Sequence, residues 1–170
     1  MASSHQPRAY YGRHADALVI VLTGHLAYTS VRAMRPFLDD LLATLADETI
    51  IIDLRQLDAI DSTGMGLLAR LGRTTLARGR RTVIVCSVPD VLTCLRSAAF
   101  DTLFILEDQW PFDCGPELSE VKLDDTELHS DVMARFMLDA HCELASMNEE
   151  NAREFGGVIE ALMADLSMKG

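Results

Sequence analysis

The chain has 170 residues, a net charge of −11 and 49% hydrophobic residues, enough to bury the core of one ordinary domain with an appendage. No apolar run approaches the roughly 18 residues that a membrane span needs, and the first residues lack the apolar centre of a signal peptide. These features argue against direct membrane insertion and predict a soluble cytoplasmic protein.

Strands and helices are predicted to alternate between residues 14 and 108. Four apolar runs predict strands, at 17–22, 50–54, 82–86 and 103–106. Three stretches between them predict helices, at about 29–45, 63–78 and 89–99. Pro36 should kink or disturb the first helix, and Gly79 should end the second. This order predicts an α/β fold, with a mixed or parallel sheet flanked by helices.

The most informative stretch joins the second of these strands to the second helix. Asp61-Ser62-Thr63-Gly64 follows the buried strand and opens the helix. A serine at a helix start normally accepts a hydrogen bond from a first-turn N–H group, so we expect Ser62 to cap the helix with its hydroxyl held outward. The helix dipole would tolerate a phosphoryl group there, and its roughly −1.5 to −2 charges would act on a docked partner.

These residues carry a resemblance to a known family. Asp61-Ser62-Thr63-Gly64, between Ile51-Ile52-Asp53-Leu54 and Leu67-Leu68, resembles the phosphorylation loop of STAS domains, specifically of anti-sigma-factor antagonists. The resemblance covers residues 14–108 and implies a STAS-like mixed sheet flanked by helices. It also implies that Ser62 is phosphorylated by an anti-sigma factor that doubles as a serine kinase, and that a phosphatase resets it. Thr63 is a candidate second site.

The same resemblance implies a protein-binding surface around the loop. We expect this surface to include Asp61, Ser62, Thr63, Gly64, Met65, His25, Arg70 and Arg73. Where the family usually carries an acidic residue and then an aspartate two positions later, this chain has His25 and Ala27, so its kinase interface is expected to differ. The cluster Arg70, Arg73, Arg78, Arg80 and Arg81 is either a solvated helix end, a contact for an acidic partner, or a contact for the chain's own acidic tail.

Acidity is concentrated behind the predicted domain. Residues 111–170 hold 14 Asp/Glu and 4 Lys/Arg, a net charge of −10, against −1 for residues 1–110 with 12 Asp/Glu and 11 Arg. This argues against nucleic-acid binding, which needs clustered cations. We expect a flexible N-terminal tail at 1–13, in which Tyr10-Tyr11 offers a short edge strand. A STAS domain at 14–108, a linker at 109–123 and an acidic helical extension at 124–170 follow.

The extension carries two amphipathic helical stripes. The first repeats every four residues, at Leu128, Val132, Phe136, Ala140 and Leu144. Ser146 to Glu149 matches a capping box, which should start the second stripe at Ala152, Phe155, Ile159, Leu162 and Leu166. Three arrangements remain open: both helices fold back on the domain, they form a homodimer through residues 124–168, or they bind a partner.

Neither catalysis nor metal binding is expected. The four cysteines are scattered, with Cys86 and Cys94 expected to be buried, and the five histidines show no ligand spacing, so no metal or cofactor is predicted. Catalysis by Ser62 would need a base such as histidine within reach, and no Gly-x-Ser-x-Gly elbow is present. The leading interpretation is a phosphorylation-switched anti-sigma-factor antagonist. The alternatives are an accessory subunit of a membrane lipid ABC transporter, where no kinase takes part, and a dimeric ligand-sensing scaffold.

Overall fold

Strands and helices alternate along most of the chain in the computed structural model, which describes residues 6–124 and 126–169. The strands are β1 (Arg8–His14), β2 (Ala17–Leu26), β3 (Thr49–Ile60), β4 (Thr82–Val85), β5 (Phe104–Glu107) and β6 (Ser119–Glu120). The helices are α1 (Tyr28–Thr44), α2 (Ser62–Ala77), α3 (Pro89–Ser97), α4 (Ser130–Ala145) and α5 (Glu149–Met168). The predicted α/β class is confirmed.

The six strands form one mixed sheet in the order β5-β4-β3-β2-β1-β6. Strands β2 to β5 pair in parallel, whereas β1 pairs antiparallel with both β2 and β6. Parallel neighbours need crossover connections, and α1, α2 and α3 supply them. Their apolar stripes pack on one face of the sheet, where Ile20, Ile52 and Ile84 of three neighbouring strands belong to the main core. The loop after β3 therefore lies at the carboxyl ends of β2 and β3.

The predicted linker, 109–123, is instead part of the folded domain. Trp110 and Phe112 pack against Val19, Ile51 and their neighbours on the sheet face opposite the helices. Further on, β6 pairs with β1, and the N–H group of Val121 donates to the carbonyl of Ala9 at 2.8 Å. The glycine and prolines that suggested a linker lie in irregular backbone, while the aromatic residues near them bury apolar surface.

The start of the chain also differs from its prediction. Residues 8–13, assigned to a flexible tail, lie in β1, which pairs with β2 from Arg8 opposite Thr23 to His14 opposite Ala17. The strand expected at Tyr10-Tyr11 is therefore present, but it is longer than predicted, and β6 pairs with its other side. Residues 1–5 lie outside the described part of the chain. The helix α1 runs without interruption through Pro36, because its buried face holds the helix against the sheet despite the lost N–H group.

The two C-terminal helices form a hairpin that folds back on the domain, one of the three arrangements left open. Leu144 of α4 and Phe155 of α5 belong to the main core. The helix α5 begins after Asn148, whose side chain accepts a hydrogen bond from the N–H group of Asn151 at 2.7 Å, so the predicted cap at Ser146 is wrong. Ser146 instead ends α4. Among the described residues, no helix is long and apolar enough to span a membrane.

Candidate functional site

Asp61 holds the loop that contains Ser62. Its Oδ1 accepts a hydrogen bond from the N–H group of Gly64 at 2.8 Å, and its Oδ2 accepts one from the N–H group of Tyr28 at 2.9 Å. One carboxylate therefore caps the first turns of both α2 and α1. The expected cap, Ser62, is the first residue inside α2 instead. Because Asp61 caps α2, the hydroxyl of Ser62 is not used by the cap and can make other contacts.

The hydroxyl of Ser62 contacts a histidine from the extension. Ser62 Oγ lies 2.8 Å from Nε2 of His141, and Nδ1 of His141 lies 2.6 Å from the carbonyl oxygen of Met137. Because a carbonyl only accepts, Nδ1 carries a proton; in the neutral imidazole Nε2 then presents a lone pair, to which Ser62 donates. The imidazole is only 4% exposed and packs edge-on to Phe155, with 5.8 Å between the ring centroids.

Three residues of the predicted partner surface are buried beneath the loop. Thr63 is 2% exposed and Met65 is 9% exposed. A Cβ atom on Gly64 would lie 2.3 Å from the carbonyl oxygen of Leu26, so this position needs glycine for close backbone packing. In the folded chain these three side-chain positions support the loop and are not available to a docked protein.

His25 and Ala27 occupy the end of β2 and the start of α1. His25 is exposed, and its carbonyl accepts a hydrogen bond from the Ser30 hydroxyl at 3.0 Å. Ala27 is the N-cap residue of α1 and has no side-chain acceptor. The Ser30 hydroxyl accepts a hydrogen bond from the Ala27 N–H group at 2.9 Å, and Asp61 accepts one from the N–H group of the next residue, Tyr28. The helix is thus capped without an acid at position 27.

The backbone of α4 is in direct contact with that of α2. A Cβ atom on Gly66 would stand 2.3 Å from the carbonyl oxygen of Ala140 and 2.5 Å from its Cα. A contact of this kind excludes any side chain larger than hydrogen at position 66 unless the two helices separate. Gly66 follows Ser62 by four residues and lies on the same face of α2. The approach of α4 therefore begins at the serine and continues along the helix.

Charged side chains flank this close contact. Arg35 of α1 pairs with Asp139 at 3.2 Å and lies over the ring of Phe136, 4.4 Å from its centroid. On the other side, Arg73 pairs with Glu143 at 2.8 Å. The arginine cluster is therefore divided: Arg73 contacts the chain's own acidic extension, whereas Arg70 pairs with Asp39 of α1 at 3.1 Å.

A second anchor lies at the start of α5. Asn151 is fully buried, and its Nδ2 donates to the carbonyl oxygens of Ala98 and Leu144, each at 3.1 Å. Ala98 closes α3, so this side chain joins the domain to the turn between α4 and α5. The extension is consequently held at two places, along α2 and at the end of α3.

A serine hydroxyl next to an imidazole that a carbonyl orients is the geometry by which a base activates a serine. The sequence alone did not indicate a histidine within reach of Ser62, and His141 occupies that position. The nearby groove between α1, α2 and α4 holds about 270 Å³. It is lined by Arg35, Gly66, Phe136 and their neighbours, and neither Ser62 nor His141 borders it. The pair therefore joins two helices and does not face this groove.

Within residues 6–124 and 126–169, no group of three His, Cys, Asp or Glu could hold a metal ion. Cys86 is buried as expected, and burial raises the pKa of its thiol. Cys94 is exposed, contrary to the prediction, because it lies on the solvent side of the short helix α3.

Sequence reasoning missed the contact of His141 with Ser62 and the anchoring role of Asn151. A local signal did exist: the stripe Phe136, Ala140 and Leu144 has its smallest residue in the middle, and α2 offers a glycine for a close helix approach. Nothing local, however, indicates which helix face the stripe will meet.

Comparisons with known proteins agree with this architecture. A family model described as the STAS domain matches residues 11–113. The structure of an anti-sigma factor antagonist from Mycobacterium paratuberculosis is similar at a TM-score of 0.56 and 16% identity, covering 64% of this chain and 92% of that one. SpoIIAA, an anti-sigma factor antagonist in its unphosphorylated form, is 24% identical at a TM-score of 0.49, covering 60% of this chain and 89% of that one. The Bacillus cell fate determinant SpoIIAA in its phosphorylated form is 22% identical at a TM-score of 0.49, covering 59% of this chain and 92% of that one.

No curated protein matches the sequence. The family model nevertheless covers more than half of the chain, from within β1 to the aromatic residues that cover the second face of the sheet. The chain belongs to the STAS domain family.

Proposed function

We propose that this protein is a phosphorylation-switched, protein-binding regulator of the anti-sigma-factor antagonist type. With Ser62 unphosphorylated, it binds an anti-sigma factor that is also a serine kinase. Phosphorylation of Ser62 releases that partner, and a phosphatase restores binding. The observation that carries the proposal is the position of Ser62 at the first residue of α2, in a STAS domain, with its hydroxyl unused by the helix cap.

The local electrostatics suit such a switch. A phosphoryl group on the first residue of a helix adds roughly −1.5 to −2 charges next to the positive end of the helix dipole. The fold should accept it, because Asp61 and not Ser62 caps the helix. A protein docked over the loop would instead meet the new charge directly, beside that of Asp61. The modification therefore acts on the partner more than on the domain.

Ser62 is a better acceptor than its neighbour. The side chain of Thr63 is buried inside the first turn of α2, at 2% exposure, whereas Ser62 is partly exposed. A kinase must bring its phosphate within about 3 to 3.5 Å of the attacking oxygen. Thr63 would have to leave the core to allow this, so the proposal assigns the phosphate to Ser62 alone.

The test is phosphorylation by serine kinases of the anti-sigma class from the organism that encodes this chain. Each purified kinase is incubated with ATP and the native protein, Ser62→Ala or Thr63→Val, and the modified residue is located by mass spectrometry. We expect labelling of the native protein and of Thr63→Val, and none of Ser62→Ala. Partner affinity should fall at least about tenfold on phosphorylation, which corresponds to about 1.4 kcal/mol. Labelling that persists in Ser62→Ala, or equal affinity of both forms, would contradict the proposal.

A further inference from the structure

We propose that the C-terminal hairpin of α4 and α5 is a built-in cover for the partner-binding face, so that Ser62 becomes available to a kinase or partner only when the hairpin detaches. The inference rests on the function proposed above, because it concerns the regulation of the same serine. It adds an occupant to the surface: a segment of this chain that competes with the external protein.

The cover follows the face on which partner binding was expected. Helix α4 meets α2 at Ser62 through a hydrogen bond, at Gly66 through backbone contact and at Arg73 through an ion pair. These positions are separated by four and seven residues and therefore lie along one side of the helix. A protein that docks on the Ser62 loop and the helix after it must take the space that α4 fills.

The hydroxyl itself is also unavailable in this state. It points at the buried lone pair of His141 at 2.8 Å, and α4 lies beside it. Phosphoryl transfer needs the same oxygen aligned with a nucleotide phosphate inside a kinase active site. A hydroxyl that is bonded to a second helix, with that helix beside it, does not reach that geometry unless the helix moves away.

Charge and covalent linkage favour the chain's own helix as the occupant. Asp139 and Glu143 on α4 face Arg35 and Arg73 on the domain, which matches the acidic extension to the basic side of α1 and α2. Because the hairpin is attached to the domain, its effective concentration is of the millimolar order expected for a short tether. An external partner therefore competes with an occupant that is always present.

Competition of this kind has a measurable form. If only the open fraction reacts, the apparent affinity and the phosphorylation rate are both scaled by that fraction. Any change that weakens docking of α4, while leaving the domain surface intact, should raise both. The variants are therefore placed on the hairpin, not on the Ser62 loop.

The main variant is Ala140→Leu, which puts a larger side chain against the backbone of Gly66. Its matched control is Ala161→Leu, the same substitution at an exposed position of α5. Glu143→Lys is a second variant, which replaces the ion pair with Arg73 by repulsion, and Glu160→Lys is its control at another exposed position of α5. All are made in the full chain. Hydrogen exchange of the α4 amides measures opening, and mass spectrometry measures the rate of Ser62 phosphorylation by the kinase identified above.

We expect Ala140→Leu to speed both α4 exchange and Ser62 phosphorylation by at least about tenfold, Glu143→Lys to do so by a smaller factor, and both controls to match the native chain. Faster exchange with an unchanged phosphorylation rate would overturn the cover while leaving the proposed function standing. Unchanged exchange in both variants would overturn it too, since the contacts named here would not hold the hairpin. If no variant is phosphorylated, the proposed function fails and the cover fails with it.

Discussion

The hydrogen bond between Ser62 and His141 can be tested by a double-mutant cycle. Replacing either residue by alanine removes the bond and leaves the other polar group in a site where His141 is 4% exposed. We expect each single change to lower the free energy of hairpin opening by about 1–3 kcal/mol, the cost of a buried polar group left without its partner. His141→Ala should be the larger, because it also removes the contact with Phe155.

The coupling between the two changes is the decisive quantity. Once one partner is gone, removing the second costs less, so the double variant should fall short of the sum of the singles by about 1 kcal/mol. Native-state hydrogen exchange of the α4 amides supplies the opening free energy of each variant. A control cycle pairs His141→Ala with Thr93→Ala, whose hydroxyl bonds the carbonyl of Pro89 in α3, and should be additive. Additivity of the Ser62 cycle within about 0.3–0.5 kcal/mol would refute the bond.

Other predictions concern the supports of the site. Gly64→Ala should lower the free energy of unfolding, measured in urea, by about 1–3 kcal/mol, because the added Cβ would lie 2.3 Å from the carbonyl oxygen of Leu26. Gly157→Ala should raise the free energy of unfolding by up to about 1 kcal/mol, because alanine favours the helix and its Cβ would have no atom within 4 Å. Asn151→Ala should ease hairpin opening by about 1–3 kcal/mol in hydrogen exchange, since the carbonyls of Ala98 and Leu144 lose their side-chain donor, although that of Leu144 keeps the N–H group of Met147. Iodoacetamide should label the three exposed cysteines first, because Cys86 is inaccessible in the core and burial also raises the pKa of its thiol; early labelling of Cys86 would contradict this.

Local pattern carried the fold prediction a long way. The runs at 17–22 and 50–54 lie within β2 and β3, because continuous apolar sequence is what a strand buried on both faces requires. Gly79 ends α2 as expected, with φ of +76° and its N–H group bonded to the carbonyl of Leu76. These features depend on neighbours within a few residues, and the sequence displays such neighbours directly.

What failed depends on the meeting of distant segments. Asp61 and Ser62 are adjacent and both are good cap residues, but Asp61 also reaches the N–H group of Tyr28, which only the paired ends of β2 and β3 bring near. His141 lies 79 residues from Ser62, on a helix whose docking partner the periodicity does not name. Trp110 was assigned to a linker because turn residues surround it, and the sheet face that it covers is assembled from other strands.

The two sets of contacts around Ser62 differ in what their loss would do. Asp61 joins the first turns of α1 and α2, and Gly64 packs on the backbone of Leu26, so these contacts belong to the domain itself. The hydroxyl of Ser62 contributes to neither, and its bond is to His141 of α4. Departure of the hairpin would therefore leave the loop in place while releasing the hydroxyl. A switch needs this separation, because phosphorylation of a serine that also capped its helix would remove the cap and lower the stability of the fold.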